Sequence, residues 1–347
     1  MIRASVKALN PYTPGEQPKI PNLIKLNTNE NAYPPSPKIK EVLSGLDVSK
    51  IRLYPDPECV RIRQILAEMN GCDIANIFVA NGSDEVLQLA TEAWIENDGS
   101  LGYFVPSYSL YPVLADIRDV KGVGYSLPNS TEELKAVASS MKNFFPDLFF
   151  FANPNAPTST MFSRTDMKVF CEQYSGIVLI DEAYVDFADD NCLSLALSMP
   201  NVVICRTMSK SWSLAGIRLG YLIGSKELVG SLYKIKDSYN VNALTQMVAI
   251  AALSDPQWAA DNRKRIINTR TWLIKELSLL GWDVADSATN FVWAKPAPGA
   301  TAVEIKDKLR KHNIIVRYFP EETTKEHIRI TVGTDEEIAA LLKVLKS

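Results

Sequence analysis

The sequence contains only two histidines, His312 and His327, among its 347 residues, and both lie late in the chain. It has no His-Glu-x-x-His motif and no Cys/His cluster, so we predict no metal site. The five cysteines, at positions 59, 72, 171, 192 and 205, form no Cys-x-x-Cys pair. Such an odd, scattered set is typical of reduced thiols rather than of a disulfide framework, and we therefore expect a cytoplasmic protein.

The chain also lacks a long apolar run and a strong excess of either charge. No apolar stretch is long enough to span a membrane, and the N-terminal residues lack the apolar core of a signal peptide. The formal net charge is −3, which gives no reason to expect a nucleic-acid partner. A hydrophobic content of 46% and a charged content of 22% are ordinary for a soluble globular protein.

Short apolar runs alternate with helical stretches through the first two thirds of the chain. The runs predicted as strands are residues 77–80, 101–105, 148–152, 176–180 and 202–205. This alternation predicts an α/β fold with a mostly parallel wound sheet. The carboxyl ends of such strands lie at one edge, so the polar groups that follow them are expected to converge on one cleft. Those groups are Tyr108, Asn155, Asp181, Tyr184 and Lys210.

The length predicts two domains. We expect a proline-rich N-terminal arm over residues 1–36, a large domain over 37–256 and a smaller α+β domain over 257–347. A long helix over 257–280 is the predicted connection between the domains. The arm is expected to pack with the smaller domain. Spacing alone does not decide whether it simply lies on the body of the protein or serves as a lid or as an arm exchanged between subunits.

Lys210 lies just past an apolar strand, between Ser209 and Ser211, with Arg218 eight positions later. A lysine amine forms a Schiff base with a carbonyl, and a serine and an arginine bind phosphate. Together they indicate pyridoxal 5'-phosphate (PLP), which carries one aldehyde and one phosphate. For the Ser-Lys pair alone, an ordinary surface lysine is the stronger interpretation.

Other positions allow a structural and a functional interpretation. Gly82 and Ser83 at a helix start suit an anion or a plain helix cap. Asp181 at the end of a buried strand suits a cationic ring nitrogen or a helix cap. Arg317 and Arg329, each among alternating apolar residues, are either anion clamps or solvent-facing strand residues.

Seven stretches together resemble the fold type I PLP-dependent aminotransferases over nearly the whole chain. They are Leu26–Pro37, Tyr54–Asp56, Asn81–Glu85, Asn153–Thr158, Asp181–Tyr184, Thr207–Arg218 and Ile328–Thr334. The lysine and aspartate stretches are specific to the superfamily. The N-terminal and C-terminal stretches are similar to those of the branch that acts on histidinol phosphate.

The resemblance implies a role for each matching residue. Lys210 would hold PLP as the internal aldimine, Asp181 would pair with the ring nitrogen, and Tyr108 would stack on the ring. Tyr184 and Asn155 would contact the ring 3-oxygen. The residues implied for the phosphate are Gly82, Ser83, Ser209 and Arg218, with Tyr54 reaching across the interface of a homodimer, and Asp84 is implied as a further cofactor-binding residue. Those implied for substrate are Tyr12, Asn29, Arg317 and Arg329. The family's Asn-Pro-Thr-Gly tetrad is Ala156-Pro-Thr-Ser159 here, so the preceding Asn155 is expected to supply the amide.

The implied activity is a ping-pong transamination. L-Histidinol phosphate and 2-oxoglutarate would give imidazole-acetol phosphate and L-glutamate, a step of histidine biosynthesis. Three alternatives stay open at the level of sequence: a threonine-phosphate decarboxylase, an aromatic or broad-range aminotransferase, and a non-catalytic PLP-binding regulatory protein.

Overall fold

The computed structural model describes residues 2, 4–9, 14–141 and 145–347. The strands are β1 (Ile24–Leu26), β2 (Ile77–Ala80), β3 (Ser100–Val105), β4 (Lys121–Ser126), β5 (Leu148–Ala152), β6 (Ile177–Asp181), β7 (Val202–Thr207), β8 (Gly220–Ile223), β9 (Asp283–Val284), β10 (Phe291–Lys295), β11 (Ile314–Tyr318) and β12 (Ile328–Thr331). The helices are α1 (Ala4–Ala8), α2 (Lys38–Ser44), α3 (Val60–Asn70), α4 (Ser83–Trp94), α5 (Leu110–Arg118), α6 (Thr131–Ser140), α7 (Arg164–Gln173), α8 (Leu193–Ser198), α9 (Lys226–Ile235), α10 (Ala243–Leu253), α11 (Pro256–Leu279), α12 (Ala302–Lys311) and α13 (Asp335–Lys346). Among these helices, none combines the length and the apolar character needed to cross a membrane.

Seven strands form the larger sheet, in the order β2-β8-β7-β6-β5-β3-β4. Neighbouring strands are parallel except where β8 runs against β2 and β7. The predicted fold class is therefore confirmed, and all five predicted strands are present. The sequence analysis missed β4, which is glycine-containing and partly exposed, and the short strand β8.

The middle of the larger sheet is buried on both faces. In β5, Phe149 and Phe151 join one hydrophobic cluster, while Leu148, Phe150 and Ala152 join the other. Successive strand side chains point to opposite faces, so an all-apolar strand needs helices on both sides. Helices α4, α5 and α9 contribute to the cluster of Phe150, and α3, α7 and α10 contribute to that of Phe149.

The smaller sheet has the order β1-β11-β12-β10-β9 and is antiparallel except for the β1–β11 pair. One face packs on α11, α12 and α13 through Leu273, Leu309 and Leu341. Strand β1, which lies within the predicted arm, thus pairs with a strand from the last tenth of the chain. The proposed domain boundaries after residues 36 and 256 stay predictions.

Candidate active site

A cavity of about 270 Å³ lies where the larger sheet meets the smaller one. Its walls include the loops after β3, β5, β6 and β7, together with residues of β11 and β12. Because those four strands of the larger sheet are parallel, the loops that follow them meet at one edge. The cavity is accordingly lined by Tyr108, Asp181, Tyr184 and Lys210.

Lys210 and Tyr184 face each other in this cavity. The Nζ atom of Lys210 is 5.5 Å from the centre of the Tyr184 ring. The lysine loop is fixed by Asn31, whose Nδ2 donates to the carbonyl oxygens of Lys210 and Ser211 at 2.8 and 3.2 Å. The Lys210 amine and the Tyr184 phenol thus both line the same cavity. The sequence analysis gave Asn31 no role, although it lies in the polar 27–31 loop.

Asn29, predicted to bind substrate, lines the cavity but is only 1% exposed. Its Nδ2 donates to the Tyr184 hydroxyl at 2.9 Å, and its Oδ1 accepts from Thr331 Oγ1 at 3.0 Å. Its backbone is left-handed, with φ of 55°. Asn29 thus links β12 of the smaller sheet to Tyr184, and direct substrate contact stays a prediction.

Asp181 ends β6 as a buried carboxylate. Its Oδ2 accepts from the Tyr111 hydroxyl at 2.8 Å, and its Oδ1 accepts from the Ala183 N–H at 3.1 Å. Burial nevertheless raises the pKa of Asp181 to about 6, although both hydrogen bonds lower it. A cationic group in the cavity would stabilise the ionised form. Sequence reasoning missed Tyr111, because a buried hydroxyl at helical spacing is indistinguishable from ordinary packing.

Hydrogen-bond donors converge at the amino end of α4. Gly82 caps the helix with φ of 90°, and Ser83 begins it. The Arg218 guanidinium contacts both the lysine loop and the first turn of α4. Its Nη1 is 3.5 Å from Ser209 Oγ, and its Nη2 is 3.1 Å from Asp84 Oδ2. A helix start with a serine and an arginine is a ready anion site.

Two glycines keep this anion site open. A Cβ at Gly82 would lie 2.6 Å from Arg218 Nη2, and one at Gly220 would overlap the backbone of Gly82 and Ser83. Sequence reasoning missed Gly220, since only the β2–β8 pairing brings it beside the start of α4.

Asn155 is placed beside the cavity rather than in its lining. Its Nδ2 donates to Pro106 O at 3.1 Å and to Thr158 Oγ1 at 2.8 Å, and its Oδ1 accepts from Ser107 at 2.6 Å. Both amide hydrogens are thus directed to protein acceptors, so contact with a ring oxygen stays a prediction. Ser159 has φ of 60°, the left-handed conformation that glycine adopts readily.

The opposite end of the cavity is positively charged. Arg317 of β11 and Arg329 of β12 both line it and are direct cross-strand partners. Arg329 is held by a hydrogen bond from Nη2 to Asn27 O at 3.0 Å. The structure therefore brings the two predicted arginines together on the cavity side of the smaller sheet.

Tyr12, one of the two remaining predicted residues, lies outside the described residues. The other, Tyr54, does not line this cavity. Tyr54 is 80% exposed and stacks on Tyr239 with ring centres 4.4 Å apart. Tyr54 does not contact the cavity of its own chain. A contact with the cavity of a second subunit stays a prediction.

Comparison with known proteins agrees with this geometry. The family model for aminotransferase class I and II matches residues 21–345. Histidinol-phosphate aminotransferase of Syntrophus aciditrophicus is 40% identical over 354 residues, covering 100% of this chain and 97% of that protein. Histidinol-phosphate aminotransferase 1 of Nostoc sp. is 37% identical, with coverages of 99% and 97%. The crystal structure of the Sinorhizobium meliloti histidinol-phosphate aminotransferase with PLP superposes with a TM-score of 0.84 at 24% identity, covering 93% and 91%. The chain belongs to the aminotransferase class I and II family.

Proposed function

We propose that the protein transfers the amino group of L-histidinol phosphate to 2-oxoglutarate with the help of PLP, a step of histidine biosynthesis. One observation carries the proposal. A single cavity joins a lysine and a buried carboxylate at one end to a pair of arginines at the other. The full-length similarity to histidinol-phosphate aminotransferases supports this substrate above other amino compounds.

Three features of the cavity fit PLP. Asp181 is a buried carboxylate whose raised pKa calls for a cationic neighbour, as the protonated ring nitrogen would be. The start of α4, Ser209 and Arg218 offer donors for a phosphate. Lys210 supplies an amine that lines the same cavity as these two groups.

On this basis the residues expected to hold the cofactor fall into two sets. Lys210 would hold it covalently, while Asp181, Tyr184, Tyr108 and Asn155 would contact the ring. The phosphate set is Gly82, Ser83, Ser209 and Arg218, with Tyr54 of a second copy, and Asp84 is a further expected cofactor-binding residue. When bound, the cofactor supplies an aldehyde and an electron-withdrawing ring.

Three side chains of the protein have separate roles in the proposed reaction. The Lys210 amine, once free, would take the proton from the substrate carbon and deliver it to the former aldehyde carbon of the cofactor, as general base and then acid. Asp181, ionised beside the ring nitrogen, would keep that nitrogen protonated, so that the ring can withdraw the negative charge that develops on the substrate carbon. Asn29 holds the Tyr184 hydroxyl at 2.9 Å, which leaves the phenol proton directed away from Asn29.

Arg317 and Arg329 are expected to bind the anionic end of both substrates. One substrate carries a phosphate and the other a second carboxylate, and a guanidinium pair binds either. The same arginines can therefore serve both halves of a ping-pong reaction. Tyr12, from the N-terminal arm, is the further predicted contact.

The absorption spectrum of the PLP-loaded protein tests the proposal. Adding L-histidinol phosphate without an oxo acid should bleach the yellow colour, and 2-oxoglutarate should restore it. Lys210→Ala should abolish the cycle, while Lys226→Ala, which removes a surface lysine paired with Asp73, should not. A yellow protein that histidinol phosphate leaves unchanged would exclude this substrate.

The alternatives give different products in the same assay. Release of carbon dioxide from threonine phosphate would indicate the decarboxylase, and faster turnover of aromatic amino acids would indicate a broad-range aminotransferase. A protein that binds PLP but turns over none of these would be a binding or regulatory protein.

We also propose a homodimer in which Tyr54 completes the partner's cofactor site. Four neighbouring apolar side chains are highly exposed: Val48 at 70%, Ile51 at 52%, Leu53 at 53% and Tyr54 at 80%. An exposed apolar surface of this kind is typical of an interface. Light scattering should give twice the 38.6 kDa chain mass, and Tyr54→Ala should weaken PLP binding. A monomer with full activity would contradict the proposal.

A cytoplasmic location is proposed as well. It is supported by the five cysteines, all of which are free thiols and four of which are buried. Reduced thiols are the normal state in the cytosol. Cell fractionation with a marker enzyme tests this location directly.

A further inference from the structure

The cavity face of the smaller sheet carries an unusual pairing. Arg317 and Arg329 are directly opposite on antiparallel strands, and Trp293 is opposite Arg329 on its other side. Like charges directly opposite in a sheet repel each other. Some group must therefore hold the two guanidinium groups together before an anion arrives.

Phe319, one residue past β11, lies against both arginines. Its ring centre is 5.2 Å from Arg317 Cζ and 5.3 Å from Arg329 Cζ. Trp293 packs against the same ring at 5.9 Å. A guanidinium within about 6 Å of an aromatic ring centre is attracted by the negative face of the ring. Phe319 thus offsets part of the repulsion and contacts both guanidinium groups from one position, whereas Phe291, also 5.3 Å from Arg329 Cζ, contacts Arg329.

Glu16, an acidic side chain of the arm, is paired with a different arginine. It accepts two hydrogen bonds from Arg310, at 2.6 and 3.0 Å. Arg310 lowers the pKa of Glu16 first through hydrogen bonding, and Arg317 contributes only the smallest of the named effects. Phe319 therefore contacts both of the positively charged side chains that the smaller sheet contributes to the cavity.

We propose that Phe319 is a positioning residue for substrate. It holds Arg317 and Arg329 at the spacing that binds one phosphate monoester. Phe319 lines the cavity together with both arginines, so its ring is also placed to exclude water from the bound phosphate. The choice of histidinol phosphate as substrate rests on the proposed function, whereas binding of a phosphate monoester does not.

The test uses two ligands and the PLP-loaded protein, so that the cofactor occupies its own phosphate site. Propyl phosphate, which has no amine, is titrated by calorimetry to give a Kd. L-Histidinol phosphate gives KM and kcat in the complete reaction with saturating 2-oxoglutarate. The variants are Phe319→Leu, which removes the ring, and Phe319→Tyr, which keeps it. Tyr318→Leu is the matched control, because Tyr318 contacts Lys306 instead of the two arginines.

Phe319→Leu should raise the Kd for propyl phosphate and the KM for histidinol phosphate roughly 5- to 30-fold, the range for two cation–π contacts. Its kcat should change by no more than about twofold, because the lost contact positions the anion rather than the reacting atoms. Phe319→Tyr should restore binding to within about threefold, and Tyr318→Leu should stay within about twofold of the parent. If Phe319→Leu does not fold, Phe319→Met carries the same comparison.

The outcomes separate this proposal from the proposed function. A parent protein that does not bind propyl phosphate, or a Phe319→Leu variant that binds it equally well, overturns the positioning role. If binding depends on Phe319 but histidinol phosphate is not converted, the positioning role stands and the proposed substrate is wrong. A loss in kcat equal to the rise in KM would indicate general distortion of the cavity and would also overturn the role.

Discussion

The Asp181→Asn substitution in the cofactor-free protein tests the electrostatics of the cavity most directly. The carboxylate is 6% exposed, and its two hydrogen bonds come from Tyr111 and from the Ala183 N–H. Asparagine has nearly the same shape and no charge. The substitution therefore removes the free-energy cost of burying an ionised carboxylate, while the packing stays almost unchanged.

The sign follows from the direction of the pKa shift. Burial raises the pKa of Asp181 from its ordinary value of 3.8 to about 6, so the folded protein binds more protons than the unfolded chain between these values. The free energy of unfolding then falls as the pH rises through this window, and the full penalty applies above pH 6. At 1.36 kcal/mol for each pH unit, that penalty is roughly 3 kcal/mol. Roughly half of it accumulates between pH 5 and pH 8.

Urea unfolding at pH 5 and pH 8 measures this effect. The stability of Asp181→Asn relative to the parent should improve by roughly 1.5 kcal/mol between the two pH values. Asp73→Asn is the control without pH dependence in this window, because the Ala75 N–H lowers the pKa of that exposed carboxyl, which is then ionised in the folded and the unfolded chain at both pH values. A relative stability that is constant with pH, or that falls, would refute the reasoning. Saturating PLP should then stabilise the parent more than the variant.

Three further predictions follow from buried contacts. Gly220→Ala should weaken PLP binding at least about tenfold in a fluorescence titration, because the new methyl group meets the backbone at the start of α4; Gly230→Ala, in open space, should have no effect. Glu182→Ala should lower the free energy of unfolding by about 3–5 kcal/mol, since it leaves the mostly buried Arg206 without its partner at 2.8 Å. A loss no larger than that of a surface pair would contradict this. Burial lowers the pKa of His327. Its contribution to the free energy of unfolding is therefore fully present above about pH 6.5 and is lost as the pH falls below that value. His327→Gln should flatten that decline in thermal unfolding, and an unchanged slope would rule out the assignment.

The sequence predicted the parts of the site that depend on local order along the chain. An apolar strand that ends in Asp181 or leads into Lys210 is visible in a single stretch. Parallel strands share one edge, so convergence of these groups followed without knowledge of any contact. The order of the strands was not needed for this argument, which is why missing β4 and β8 did not harm it.

The remaining parts depend on contacts between distant segments. Gly220 matters because β8 runs antiparallel beside β2, and the Arg317–Arg329 pair exists only in one register of β11 and β12. Asn29 lies 155 residues from Tyr184, yet donates to its hydroxyl. No spacing rule along the chain contains such information, because each contact is set by sheet pairing and tertiary packing.

Both ends of the cavity hold charged groups that destabilise the folded protein when no ligand is bound. At one end Asp181 is a buried carboxylate whose ionisation destabilises the fold at neutral pH. At the other end two arginines face each other across a pair of strands, which is also unfavourable. Each unfavourable charge becomes favourable when a ligand of opposite charge arrives, so the free energy lost on folding is regained on binding. A sequence optimised only for stability would remove both features, which is why their presence together, in one cavity, argues for function rather than packing.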